Sequence, residues 1–184
     1  MGWLREEAEA LGTSFDDRGA RLDEWILAMR ALWSQPVASF PGEYVRFDGV
    51  KCEPHPANPT GIPILIGGHS LAAARRAGRL GDGFLPQHGG RPGGLEEIAR
   101  LQRIAEESAR AAGRDASALE LTSIGAPEPE TAKAFANTGI SRMIGVANWL
   151  DTGGRREGDA DPLGAPGDAA AEPHVRVIDI RDPG

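Results

Sequence analysis

From Ile62 to Val146 the chain repeats a single pattern, a short apolar segment followed by a helix-length segment. Ile62–Ile66 precedes Leu71–Arg79, and Phe84-Leu85 precedes Leu95–Ala112. Leu119–Ile124 precedes Glu128–Asn137, and Arg142–Val146 ends the series. Such alternation predicts an α/β fold, a parallel sheet with helices packed outside it. The apolar segments are short and read as buried on both faces, as the strands of a barrel interior are. Four such units are half of a (β/α)8 TIM barrel. An open, Rossmann-like four-stranded sheet is the competing arrangement.

Upstream, Leu4–Leu11 reads as a helix closed by Gly12 at its C′ position. Leu22, Trp25, Ile26, Met29, Leu32 and Trp33 then form one apolar stripe at helical spacing. Asp16 and Asp17 suit the positive end of that helix, and Pro36 stops it. Between Ser39 and Glu53 the period changes to that of a hairpin or extended excursion. Pro54, Pro56 and Pro59 make the next connection irregular. After Trp149 the chain is almost entirely Gly, Ala, Pro, Asp, Arg and Glu, which buries too little to offset chain entropy. The expected division is therefore 1–149 as the folded part and 150–184 as a disordered tail. Val175–Ile180 is a weakly alternating stretch that could form an isolated strand.

Lys and Arg total 20 against 27 Asp and Glu, a net charge of −7. That balance argues against a nucleic-acid partner, which calls for a basic footprint. The single Cys52 excludes an internal disulfide and a Cys-based zinc cluster, and reads as a small buried hydrophobe. The longest apolar run, Ile62–Gly68, contains Pro63 and is far short of a membrane span. The first residues show no secretory leader, so a cytoplasmic location is expected.

The chemistry is expected at Gly67-Gly68-His69-Ser70, between a strand end and a helix start. Two glycines permit close backbone approach, and a helix N-terminus suits a phosphate. The plainer reading is a tight turn with Ser70 as a simple N-cap. The stretch is neither a Walker loop nor a GxGxxG fingerprint. His69 and His88 both follow strands on the edge that carries chemistry in βα folds, and Gln87 with His88 would line the mouth of a cleft. His55 and His174 read as inert, and no spacing of ligands suggests a metal. No GxSxG elbow is present. Asp82, in Gly81-Asp82-Gly83, reads as a turn residue, and Trp25 and Trp33 as core or interface.

Ile62-Pro63-Ile64-Leu65-Ile66-Gly67-Gly68-His69-Ser70, continued by Ala72–Pro86, resembles the luciferase-like monooxygenase superfamily, and most of all its coenzyme F-420-dependent branch. Trp3–Glu7, Arg18–Glu24, Met29–Trp33 and Phe40–Phe47 carry the same resemblance, which runs from about Gly2 to Val146. It implies a partial (β/α)8 TIM barrel, from the end of strand 4 through strand 8, in a truncated family member. It also implies coenzyme F-420 or FMN as cofactor and a small organic substrate. Gly67, Gly68, His69 and Ser70 match the cofactor phosphate and ribityl chain. Trp3 and Glu6 match positions near the cofactor, and Gln87 with the following loop matches a substrate-facing region. No catalytic acid or base carries over. The implied activity is flavin- or deazaflavin-dependent oxidoreduction. The alternatives are a non-catalytic half-barrel remnant acting as a weak cofactor-binding or interaction module, and a phosphoryl-ligand enzyme on an open sheet. Unpaired strand edges would favour a homodimer or looser self-association.

Overall fold

The computed structural model describes residues 4–58, 61–86, 94–124, 129–146 and 175–179. The chain forms two compact units, Met1–Ile64 and Leu65–Gly184.

The first unit holds helix α1 (Arg5–Ala10), helix α2 (Arg18–Ser34) and an antiparallel hairpin of β1 (Ala38–Pro41) and β2 (Arg46–Val50). Gly12, at φ 67°, closes α1 as its position in the sequence predicts. Its N–H reaches the Glu9 carbonyl at 3.0 Å, and the Thr13 N–H reaches that of Ala8 at 2.9 Å. α2 stops at Gln35, whose extended backbone is what the residue before Pro36 requires. The expected apolar stripe is only partly interior. Ile26 and Ala28 are buried, whereas Trp25 is 39% exposed. Asp16 and Asp17 do not cap α2 through their side chains. They pair instead with Arg5 at 2.6 Å and Arg21 at 2.9 Å. Cys52 is half-buried rather than buried.

One contact fixes the hairpin loop to α2. The Glu24 carboxylate accepts the backbone N–H groups of Glu43 at 2.9 Å, Tyr44 at 2.7 Å and Val45 at 2.7 Å. Gly42 is needed beside it, because any Cβ there would collide with that carboxylate. Arg21 lies over the Tyr44 ring at 4.6 Å and adds a second clamp. Across the hairpin Phe40 pairs with Phe47, ring centroids 6.0 Å apart. Burial pushes the Glu24 carboxyl upward, but the donors on Val45, Glu43 and Tyr44, with the charge of Arg46, outweigh it and hold the group below the usual glutamate range.

The second unit follows the predicted alternation. β3 (Leu65–Gly67) leads into α3 (Leu71–Leu80), and β4 (Gly83–Leu85) precedes α4 (Gly94–Ala111). A 3-10 turn at Ala116–Ala118 feeds β5 (Glu120–Ile124), followed by α5 (Pro129–Ala136), β6 (Arg142–Val146) and β7 (Val175–Asp179). The strands lie in the order β3-β4-β5-β6-β7. β3 to β6 are parallel and adjacent in sequence order, as the alternation and the right-handed βαβ rule require. β7 pairs antiparallel with β6. The described residues form an open sheet and close no barrel.

Two expectations shift. The first strand starts at Leu65, not Ile62, and it includes Gly67. Ile62 is 51% exposed, and Pro63 has no N–H to give a ladder. The strands are also not apolar on both faces. Ile66, Phe84, Leu121, Ser123 and Met143 share one face by register and are buried. The opposite face carries Glu120, which accepts from Thr122 Oγ1 at 2.8 Å and pairs with Arg142 at 3.0 Å.

α3 and α4 meet through small residues. Ala74, Ala77, Ala105 and Ala109 are fully buried. A Cβ on Gly78 would collide with the Ala105 carbonyl and stand 2.8 Å from both the Ala109 nitrogen and the Ser108 Cβ. Arg114 donates to the Gly78 carbonyl at 2.7 Å and pairs with Asp82 at 3.6 Å. Asp82 thus acts in the turn, as its Gly-Asp-Gly setting suggests; its carbonyl also accepts the Glu120 N–H at 3.0 Å.

Gly78→Ala is expected to lower stability by about 1–3 kcal/mol, since the overlap is with backbone that cannot rotate away. Chemical denaturation checks it, and wild-type stability in that variant would refute the close helix approach. Glu24→Gln should unfold at a lower temperature than wild type near neutral pH. A carboxyl whose folded value is depressed stabilises the fold above its unfolded value and loses that effect as the pH falls through the folded one. The gap between the two melting temperatures should therefore close on acidification, and a gap that widens would contradict the assignment.

Candidate functional site

β3 and β4 end level with each other, because Gly67 is in register with Leu85. Their C-terminal ends therefore open onto the same edge of the sheet, the edge at which open and closed βα folds place ligands. Gly68, His69 and Ser70 leave β3 there and enter α3.

Gly67 belongs to the strand, and a Cβ on it would meet nothing within 4 Å. Space for a close approach thus exists beside its backbone. Gly68 adopts φ 135°, a conformation that L side chains rarely take, and a Cβ on it would lie 3.0 Å from Ala73 Cβ. Its N–H donates to the Leu85 carbonyl at 3.1 Å. The Gly68 amide is thus committed to the sheet. Once β3 and β4 pair, the ladder extends one residue past the strand and uses the Gly68 amide.

Ser70 is the N-cap of α3. Its Oγ accepts the Ala73 N–H at 3.1 Å, and its carbonyl accepts the Ala74 N–H at 3.0 Å. The plainer reading of Ser70 is therefore realised in the structure. It does not exhaust the hydroxyl, which still carries its own proton to donate. The N–H groups of Leu71 and Ala72 have no acceptor within the helix, as in the first turn of any α-helix. No acidic residue stands in the first turn of α3, whereas Glu96 and Glu97 occupy that of α4. The helix's own first turn therefore supplies no counter-charge to the positive end of its dipole. Arg75 and Arg76 follow on the same helix.

His69 and Ser70 are exposed at this edge. Pro86 continues β4 and is buried. Gln87 and His88 lie outside the described residues, and so does Trp3. Glu6 is exposed in the first turn of α1, in the other unit. Among the described residues no three His, Cys, Asp or Glu side chains cluster as metal ligands. The helix N-terminus that the sequence offers for a phosphate corresponds to the amides of Leu71 and Ala72, behind the Ser70 cap.

The chain is 39% identical over 107 residues to the F420-dependent glucose-6-phosphate dehydrogenase of Mycolicibacterium smegmatis, covering 58% of this chain and 30% of that protein. It is 28% identical over 169 residues to the FMNH(2)-dependent dimethylsulfone monooxygenase of Pseudomonas fluorescens, covering 80% and 46%. Among solved structures, the monooxygenase RslO1 from Streptomyces bottropensis superposes with a TM-score of 0.54 at 24% identity, over 75% of this chain and 42% of that one. An F420-dependent secondary alcohol dehydrogenase gives 0.55 at 24% identity, over 64% and 35%. These two share the fold. The chain spans less than half the length of each of these proteins. The family model for luciferase-like monooxygenases matches residues 1–174, and the chain belongs to that family.

Proposed function

We propose that the chain serves a flavin- or deazaflavin-dependent oxidoreductase reaction on a small organic substrate, with FMN or coenzyme F-420 held by its phosphate at Gly67–Ser70. The observation that carries this reading is the Ser70 cap: a hydroxyl with a proton to donate, beside two open helix amides and the bare backbone of Gly67. The cofactor's ring system supplies hydride transfer, with or without oxygen, when bound. The protein's share is positional. Leu71 and Ala72 amides and the Ser70 hydroxyl hold the anion, and His69 borders it. By the family resemblance, Gln87 and His88 are assigned to the substrate, and Trp3 and Glu6 to the cofactor. The similarity to FMNH(2)- and F420-dependent relatives supports either cofactor.

In this reading the four parallel strands correspond to strands 5–8 of a TIM barrel in the family, and the protein works in the cytoplasm. No helix among the described residues is long and apolar enough to cross a membrane. A second reading is a cofactor-binding module without turnover. Among the described residues β3 and β7 are the outer strands of the sheet, and unpaired edges there would favour self-association in either case. A clean monomer in sedimentation would remove that last point.

Fluorescence titration with FMN and with coenzyme F-420 tests the site. Ser70→Ala should weaken binding by about 1 kcal/mol, the net worth of one hydrogen bond. Gly68→Trp should abolish it, because the side chain forces the loop off Ala73 and shifts the first turn of α3. Tight binding that survives Gly68→Trp, in a variant with wild-type circular dichroism, would overturn the phosphate assignment. Turnover of organic substrates by the chain would decide for the enzyme over the binding module.

A further inference from the structure

A cleft of about 230 Å³ opens in the first unit between α1, the 11–17 connection and the start of α2. Its wall is mostly apolar, and it leaves large apolar side chains exposed, Leu11 at 79% and Trp25 at 39%. Two guanidinium groups line the same cleft, Arg18 and Arg21. Both are already oriented by stacking. The Arg18 guanidinium carbon lies 3.6 Å from the Phe15 ring centroid, and Arg18 Nη1 donates to the Phe15 carbonyl at 2.6 Å. Arg21 stacks over Tyr44 and gives its Nε to Asp17 at 2.9 Å.

A guanidinium stacks through its face and donates in its plane, so stacking leaves its donors available. Among the described residues Arg18 makes that one hydrogen bond and no direct ion pair. It is half-buried, which fixes its direction at little further entropy cost. Glu7 also lines the cleft, and Asp17 already pairs with Arg21, which leaves Arg18 as the cleft's guanidinium without a direct ion pair among the described residues. An apolar wall beside a stacked, under-used arginine matches a flat apolar body bearing one anionic group.

We propose that this cleft is a binding site for a small aromatic carboxylate, its ring against Trp25 and Leu11 and its carboxylate on Arg18. The site uses none of Gly67–Ser70 and stands or falls independently of the cofactor reading. Equilibrium dialysis of the full chain with 2-naphthoate, and with the neutral 2-naphthamide of the same shape, tests it. Saturable one-to-one binding of 2-naphthoate is expected, with the amide at least tenfold weaker. Arg18→Gln should weaken 2-naphthoate at least tenfold and leave the amide unchanged, and Trp25→Ala should weaken both. Arg18→Lys should recover part of the loss. Equal binding of acid and amide by the wild-type chain would overturn the proposal, as would no saturable binding or indifference to Arg18→Gln. The acid–amide comparison needs no variant, so a misfolded substitution does not blunt the test.

Discussion

The seating of α3 on α4 at Gly78 governs the rest of the second unit. Two helices come within backbone contact only where a side chain is missing, and here Ala74, Ala77, Ala105 and Ala109 surround the gap. Arg114 locks the approach from outside through the Gly78 carbonyl. With α3 fixed along its length, its first turn is fixed too. Ser70 and the amides behind it are then held at the C-terminal edge of β3 by packing that lies two turns away. Close packing of small residues transmits position with little slack, since there are few rotamers to absorb an error. The geometry of the candidate site is thus a product of helix packing as much as of its own loop.

The first unit is built on a different principle. Its centre is a carboxylate, Glu24, that gathers three backbone amides from a loop some twenty residues away. Buried apolar contact is thin there, with Ile26, Ala28 and Ala38 as its buried hydrophobic residues. Charge-assisted hydrogen bonds substitute for bulk in holding the hairpin to α2. A carboxylate used in this way is satisfied, and it is structural even though its titration is shifted below the usual glutamate range.

How far the sequence reveals these features depends on the range of the forces involved. Strand order and helix positions follow from periodicity, a local property, and the four parallel strands appear where alternation puts them. The boundary of β3 is not legible in the sequence, because apolar character extends back to Ile62 while hydrogen-bonding capacity is interrupted at Pro63. The role of the Gly68 amide depends on the Leu85 carbonyl seventeen residues later, and no local pattern encodes that pairing. The role of Glu24 is hidden for the same reason, since its three amide partners lie about twenty residues away in the chain. Ser70 was legible as both cap and ligand candidate, and the fold realises the first without removing the second. Trp3, Gln87 and His88 lie outside the described residues, so their places rest on the resemblance.

β7 has a consequence for any larger architecture. β6 is hydrogen-bonded on one side by β5 and on the other by β7, so both of its edges are spoken for. In a closed barrel the last parallel strand borders the first, in the same direction. That seat is held here by Val175–Asp179 running the opposite way. Barrel closure through β6 and the β6–β7 pairing are therefore mutually exclusive states of one edge, and ring completion would first require β7 to be evicted.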